Sequence, residues 1–332
     1  METLQLPTTL RIGNLALETP ILLAPMAGFT DLPFRMTIRP LGGLGLAYAE
    51  MVNPPSVLFG GSKRRREILA TVPEDRPLGY QIYGTDPDLA AQAARWLQEN
   101  GAAVVDINMG CPRREITSSG AGSAILKTPD LAVRVAERVV ASVSVPVTVK
   151  MRLGWEEGSL VAPALARELE KVGVAAITIH GRTRSQGFTG TADLAGIRKV
   201  VEAVERIPVI GNGDVNSPEA ALRMLRETGC AGIMVARGAI RDHWLIRDIW
   251  RALQGLPPLP APTSAERMAL LRDQFDRSIL HYGEKHAVAI FRRWVPEATK
   301  KLQLGREAML RLLRIAGIAE MRQALAELSV AP

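Results

Sequence analysis

Three regularities predict an α/β fold, a (β/α)8 TIM barrel followed by a smaller all-helical C-terminal domain. Eight short apolar runs alternate with helical patterns at the spacing of βαβ units. Nearly every run ends in polar residues or glycine, as strands do where a barrel gathers its loops at one mouth. From Ser264 onward no strand candidate of note occurs, and the pattern is helical to the end. A doubly wound open sheet is the competing fold. No GxGxxG follows an early strand, and the polar strand ends are spread over many units, which favours the barrel.

Composition narrows the class. A chain of 332 residues, 47% hydrophobic and 23% charged, is globular and long enough for a large core or two domains. The two cysteines, Cys111 and Cys230, form no framework and no CxxC, which predicts a reducing compartment. The four histidines form no HExxH, and no metal site is expected. Residues 1–10 contain Glu2 and Pro7 and lack an apolar core, so no secretory signal is read and a cytoplasmic protein is expected. No uncharged stretch reaches the length of a membrane span. The net charge of +7 leans toward a polyanionic partner and equally fits an inert basic surface.

The elements follow in chain order. Ile12-Gly13-Asn14 is an expected hairpin tip. The run 20–28 contains the first strand, which carries Ala24-Pro25-Met26 and stops at Pro25 and Gly28. The small Ala27 and Gly28 suit a flat ligand on the backbone, or a plain strand-to-helix turn. Asp31 can cap the helix that follows. Residues 44–51 form the second strand and 53–61 a loop. The run Lys63-Arg64-Arg65-Arg66 reads as a solvated turn or a phosphate contact. The third strand, 78–83, carries Gln81, whose amide donates and accepts at once. Residues 87–100 form a helix capped by Asp86.

The fourth strand lies in the stretch 104–112, where an apolar run feeds into Asn108, Gly110, Cys111 and Pro112 and presents a thiol at its tip. Cys111 faces a ligand there or packs as a buried cysteine. Gly120-Ala121-Gly122-Ser123 leads into the next helical run. The fifth strand, 145–152, is apolar until Lys150, a costly residue in a strand unless it meets an anion. Residues 160–172 are helical. The sixth strand, 174–182, ends in His180-Gly181-Arg182, with Arg184 in the loop beyond. The seventh and eighth, 207–214 and 231–238, supply Gly211-Asn212-Gly213-Asp214 and Ala236-Arg237-Gly238, where barrels grip phosphate.

The Pro-rich stretch QGLPPLPAPT, 254–263, divides the chain into a barrel (1–253), a linker (254–263) and a helical domain (264–332). Ser264 is the expected cap of the first helix there, without a capping-box glutamate. The helical domain carries 12 Lys and Arg against 8 Asp and Glu, a net +4. Trp294, beside Arg292-Arg293, is read as a packing anchor, with base stacking the alternative.

These motifs, in this order, resemble the bacterial tRNA-dihydrouridine synthase family. They are Ala24-Pro25-Met26, Glu50-Met51, Gln81-Ile82-Tyr83-Gly84 and Asp106-Ile107-Asn108-Met109-Gly110-Cys111-Pro112. Then come Gly120-x-Gly122-Ser123-Ala124, Val149-Lys150-Met151-Arg152, His180-Gly181-Arg182-Thr183-Arg184, Gly211-Asn212-Gly213-Asp214 and Ala236-Arg237-Gly238. Tyr282-Gly283-Glu284 and Arg292-Arg293 extend the resemblance into the helical domain. It implies FMN as cofactor and NADPH, or NADH, as reductant. Hydride would pass to C6 of a uridine in tRNA, in the D-loop, and Cys111 would protonate C5. It assigns Ala24, Pro25, Met26, Gln81, Lys150, His180, Gly211, Asn212, Gly213, Asp214, Ala236, Arg237 and Gly238 to the cofactor. Asn108, Arg182, Arg184, Arg292 and Arg293 are assigned to the tRNA, bound by a monomer with no metal and no membrane.

Two positions depart from the family. Glu115 stands where a lysine is usual, and Trp294 where an Arg-Lys-His run usually ends in histidine. Three other activities share parts of the pattern. They are a flavin barrel acting on a free pyrimidine, a lyase with Lys150 as a Schiff-base lysine, and a non-catalytic RNA-binding module.

Overall fold

The computed structural model describes residues 6–328, so the ends of the two expected domains, 1–5 and 329–332, lie outside the described residues. A two-stranded antiparallel hairpin, β1 (Leu10–Ile12) and β2 (Leu15–Leu17), turns at Gly13. Eight parallel strands follow and close into a barrel. They are β3 (Ile21–Leu23), β4 (Leu46–Tyr48), β5 (Leu78–Ile82), β6 (Val104–Met109), β7 (Val147–Arg152), β8 (Ala176–His180), β9 (Val209–Asn212) and β10 (Gly232–Val235). The fold is the expected one, and each of the eight apolar runs contains one strand.

Strand alternation sorts the side chains into two cores. Leu22, Leu46, Tyr48, Val104, Ala176, Ile210 and Met234 pack inside the barrel with Leu10, Ile12 and Leu17 of the hairpin, which plugs its lower end. Ile21, Leu23, Ala47, Ile107, Val149, Ile177 and Val235 pack outward into the surrounding helices. The two-residue period fixes this division, because a slip of one residue would exchange the two sets. Gly79 is required by the filling: a Cβ there would sit 2.5 Å from the Tyr48 ring. Higher in the barrel the inward positions become polar, with Asp106 and Thr148 at mid-height and Asn108, Lys150, His180 and Asn212 toward the mouth.

Three local expectations are corrected. The span 53–61 contains a helix, Pro54–Leu58, because Asn53 accepts the Ser56 N–H at 2.9 Å and the two prolines occupy the first turn, where no N–H is needed. The basic run lies on a helix, Ser62–Ile68, not on a turn; Arg65 donates to Leu58 O and lies over the Trp96 ring. The side chain of Arg64 lies outside the described residues. The helix Ser264–Tyr282 is capped by Thr263, not Ser264. Counted from Thr263, Glu266 is the third residue and completes a capping box.

The helical region packs directly on the barrel. Trp294 is 2% exposed, stacks on Phe34 at 4.6 Å and meets Phe29 edge-on at 5.2 Å, so it is a packing anchor. Phe275, Phe291, Val295 and Met321 belong to the same apolar cluster as the barrel's outer core. Asp31 ties the two together. One of its oxygens caps the helix Leu32–Ile38, and the other accepts from the Tyr282 hydroxyl at 2.6 Å and from Arg293.

Candidate active site

The mouth of the barrel holds a cavity of about 330 Å³, within the range of small-molecule sites. Its walls include Ala24, Pro25, Met26, Gln81, Asn108, Cys111, Lys150, His180, Asn212, Gly213, Asp214, Ala236, Arg237 and Gly238. With Met51, which follows β4, residues from all eight strand ends therefore meet at one place, which only the barrel's closure brings about.

Cys111 is half-buried, on a loop held from several sides. Its N–H donates to Asn108 Oδ1 at 2.8 Å. Its carbonyl accepts from the N–H and the hydroxyl of Ser123, both at 3.0 Å. Gly122 has φ +59°, and a Cβ there would lie 2.7 Å from the Cys111 carbonyl oxygen, so glycine is needed for that approach. Arg152 completes the support, donating to Gly110 O at 2.9 Å, Thr183 O at 2.7 Å and Gly187 O at 2.8 Å.

Lys150 Nζ donates to Asn212 Oδ1 at 3.1 Å, and Asn212 Nδ2 donates to Met234 O at 2.8 Å, so the asparagine amide has one defined sense. Burial lowers the Lys150 pKa to about 8, with Arg152 adding to the fall and Asp106 opposing it. Burial likewise holds His180 well below the usual imidazole range, reinforced by Lys150, Arg152, Arg182 and Arg237. The imidazole is therefore neutral. Arg237 caps one side of the mouth, its guanidinium 4.4 Å from the Phe188 ring centre.

Not every expected residue reaches the cavity. Arg182 is 1% exposed and lies behind the mouth, where it pairs with Asp214 at 2.7 Å and donates to the carbonyls of Thr189 and Gly190. Burial alone would raise the Asp214 carboxyl, but this arginine and the Ala192 N–H bring it below its usual value. Arg184 stacks on Trp155 at 4.5 Å, with Lys127 at 4.9 Å from the same ring. Arg293 borders a separate, polar cavity with Asp31, Tyr282 and His281. Arg292 lines neither of these cavities. Conversely, Arg113, Arg152 and Phe188 line the mouth without having been expected there. Of these only Arg152 carried a signal, a second basic residue two positions beyond Lys150 on one strand. Among the described residues, no group of three or more His, Cys, Asp or Glu is disposed to hold a metal, and no helix is long and apolar enough to cross a membrane.

Comparison with known proteins agrees with this geometry. Residues 22–328 match the family model "Dihydrouridine synthase (Dus)". The chain is 39% identical over 293 residues to a probable tRNA-dihydrouridine synthase of Rhodobacter capsulatus, covering 87% of this chain and 90% of that protein. It is 38% identical to tRNA-dihydrouridine synthase B of Xanthomonas campestris, covering 86% and 85% of the two chains. With tRNA-dihydrouridine synthase B of Pseudomonas aeruginosa the identity is 37% over 324 residues, 96% of this chain and 97% of that one. Among solved structures, the fold is similar to histamine dehydrogenase of Rhizobium sp. 4-9 (TM-score 0.57, 14% identity), covering 82% of this chain and only 51% of that one. It is also similar to morphinone reductase (TM-score 0.56, 15% identity), covering 77% and 91%. A match that runs through barrel and helical region alike, on top of a mouth built from the family's own motifs, settles the kinship: the chain belongs to the dihydrouridine synthase family.

Proposed function

We propose that this protein is a cytoplasmic, monomeric tRNA-dihydrouridine synthase that reduces a uridine of the tRNA D-loop, with FMN as hydride source and NADPH or NADH as reductant. The observation that supports it best is the convergence of Cys111, Lys150 and Arg237 in one cavity.

The lining fits FMN. The cations Arg113, Lys150, Arg152 and Arg237 face a single lining carboxylate among the described residues, Asp214, which Arg182 already neutralises. Gly213 and Gly238 also line the cavity, and close packing keeps both as glycine, since a Cβ would meet Ala192 at 2.8 Å and Val215 O at 2.3 Å. Arg237 and these glycines would hold the phosphate. Lys150, Gln81, Asn212 and His180 would hold the ring and ribityl chain, and Ala24, Pro25, Met26 and Ala236 would supply the flat apolar wall.

When bound and reduced, FMN supplies the hydride. Uracil has a C5=C6 bond conjugated to C4=O, so hydride at C6 drives negative charge to C5 and the C4 oxygen. Cys111 then gives its proton to C5, and the remaining thiolate is faced by the Lys150 and Arg152 cations. Asn108 holds the thiol's loop at the reacting base. The base must leave its stack to enter. Residues 1–253 would carry this chemistry, and 264–332 would help seat the tRNA through backbone charge and shape.

The test is direct. The purified protein should carry flavin that heating releases as FMN. Once reduced, it should be reoxidised by unmodified tRNA, with a mass gain of two hydrogens on one uridine. A colourless protein that cannot be reconstituted with FMN would sink the reading.

A further inference from the structure

A chain of hydrogen-bonded side chains runs from the centre of the barrel to the Cys111 loop. At its inner end the Tyr48 and Thr148 hydroxyls lie 3.3 Å apart, and Thr148 donates to Asp106 Oδ1 at 2.6 Å. Asp106 Oδ2 accepts from Gln81 Nε2 at 2.6 Å. Gln81 Oε1 accepts from Asn108 Nδ2 at 2.7 Å. Asn108 Oδ1 then accepts the backbone N–H of Gly110 at 3.0 Å and of Cys111 at 2.8 Å. Asp106 and Gln81 are fully buried, so water does not compete for these bonds.

Each amide in this chain has two possible senses, and only one satisfies both ends. Backbone N–H groups donate, so Asn108 must turn its oxygen toward Gly110 and Cys111 and its NH2 toward Gln81. Gln81 then accepts from Asn108 and must donate on its other side. Only an acceptor can meet it there, and a carboxylate is the side chain that accepts without donating. We propose that Asp106 is a positioning residue of this active site: it fixes the sense of Gln81 and Asn108, and through them the backbone that presents the Cys111 thiol. A buried carboxyl is costly in a barrel core, and an apolar residue would fill the same space without that cost. The position of Asp106 at the root of the chain accounts for its presence. The inference rests on the proposed reaction where it calls Cys111 the proton donor, and on geometry alone for the ordering of the loop.

A charge exchange tests it. Asp106→Leu removes the acceptor on the same branched skeleton, with bulkier methyl ends. Gln81→Glu sets carboxyl against carboxyl, an opposition that holds only where both are ionised, so this variant is read on the alkaline side. In the double variant, Gln81→Glu with Asp106→Asn, the new amide donates to the new carboxylate. That carboxylate still accepts from Asn108, and Thr148 still donates inward, so every bond returns with the charge moved one step. Amide exchange at Gly110 and Cys111 is read in FMN-free protein, beside thermal unfolding, and reoxidation by tRNA is read in the loaded enzyme. Each single variant should speed exchange at these amides by about tenfold, the worth of a lost buried bond, and Asp106→Leu should slow reoxidation by a similar factor. The double variant should return exchange to within about threefold of the parent; reoxidation is read in Asp106→Leu alone, because Gln81 is also placed at the flavin. A double variant no better than Gln81→Glu alone would overturn the proposal, as would unchanged exchange in a folded Asp106→Leu protein. If Asp106→Leu does not fold, the Gln81→Glu pair carries the same comparison. Rescued exchange together with a parent enzyme that tRNA cannot reoxidise would uphold the positioning role and defeat the reaction instead.

Discussion

Replacing Trp294 by alanine tests whether barrel and helical region form one cooperative unit. The side chain is 2% exposed, stacked on Phe34 at 4.6 Å and set edge-on to Phe29 at 5.2 Å. Truncating a buried tryptophan to alanine costs about 3–5 kcal/mol, from lost transfer energy and the cavity left behind. The Arg293 guanidinium also loses the ring beneath it, 5.7 Å away, worth about 0.5–1 kcal/mol more. An unfolding entropy near 2.1 cal/mol/K per residue makes each kcal/mol worth about 1.5 °C in a chain of this length. The melting temperature should therefore fall by about 5–9 °C. Phe29 lines the catalytic cavity, so loss of its support should also loosen flavin. Circular dichroism and flavin fluorescence, followed in one thermal ramp, should report the same midpoint in the parent and the same lowered midpoint in the variant. Two separate transitions in the parent, or a shift below about 1 °C in the variant, would refute the shared core. By the same reasoning, a chain cut near residue 260 should not retain a stable FMN-binding barrel, because the cut exposes Phe34, His243 and Trp244.

Other outcomes follow from the same geometry. Cys111→Ala should leave FMN bound and reducible but slow reoxidation by tRNA about 10²–10⁴-fold, read by single-turnover stopped flow; an unchanged rate would remove the thiol as the acid. Cys230→Ala, at a position 3% exposed behind the ninth strand, should cost about 1–2 kcal/mol of stability and leave the chemistry intact. Lys150, lowered by burial to about 8, should lose its ammonium as pH rises through that value. FMN affinity should then weaken on the alkaline side. The lysine's own drag on stability should ease between about 8 and its ordinary value, because the unfolded chain binds the proton more tightly there. Lys150→Met should flatten both trends in titration calorimetry and in denaturation at fixed pH. Arg113→Gln at the open mouth should reduce the salt slope of tRNA binding by about one. Arg293→Gln, which breaks the contact with Asp31, should lower stability with little change in that slope.

The barrel was legible because strand and mouth share one signature: an apolar run that turns polar at its end. What failed was local punctuation. Pro54 and Pro55 look like breakers, yet Asn53 caps a helix that accommodates them in its first turn. Thr263 and Glu266 form a capping box that disappears when counted from Ser264. Site residues on strands were legible for a related reason, since the inward positions of β6 to β9 follow a period of two. Arg182 shows the limit of that signal. A basic residue just past a strand end reads as facing a ligand, but its partner, Asp214, is 32 residues away and draws it behind the wall. Arg113 and Phe188 reach the cavity from loops, where no period says which way a side chain turns.

The structure also changes what the helical region can be used to argue. A barrel acting on a free pyrimidine needs no domain to seat tRNA, yet residues 264–332 have another task. Trp294, Tyr282 and Arg293 carry it, because they brace the loop carrying Phe29 and Asp31. Six of the region's basic side chains are held in ion pairs among the described residues, so its net positive charge is not all available to a partner. The preference for tRNA rests instead on the family match along the whole chain and on the cations Arg113 and Arg237 at an open mouth. The lyase alternative loses ground to the family match, which runs through barrel and helical region alike. Burial lowers Lys150 to about 8, which a Schiff-base lysine would also need, so its titration does not separate the two readings. Its neighbour Asn212 turns an oxygen to it at 3.1 Å, which suits the ammonium form. An ammonium so placed would serve the flavin reading by attracting the charge that builds on a reduced ring.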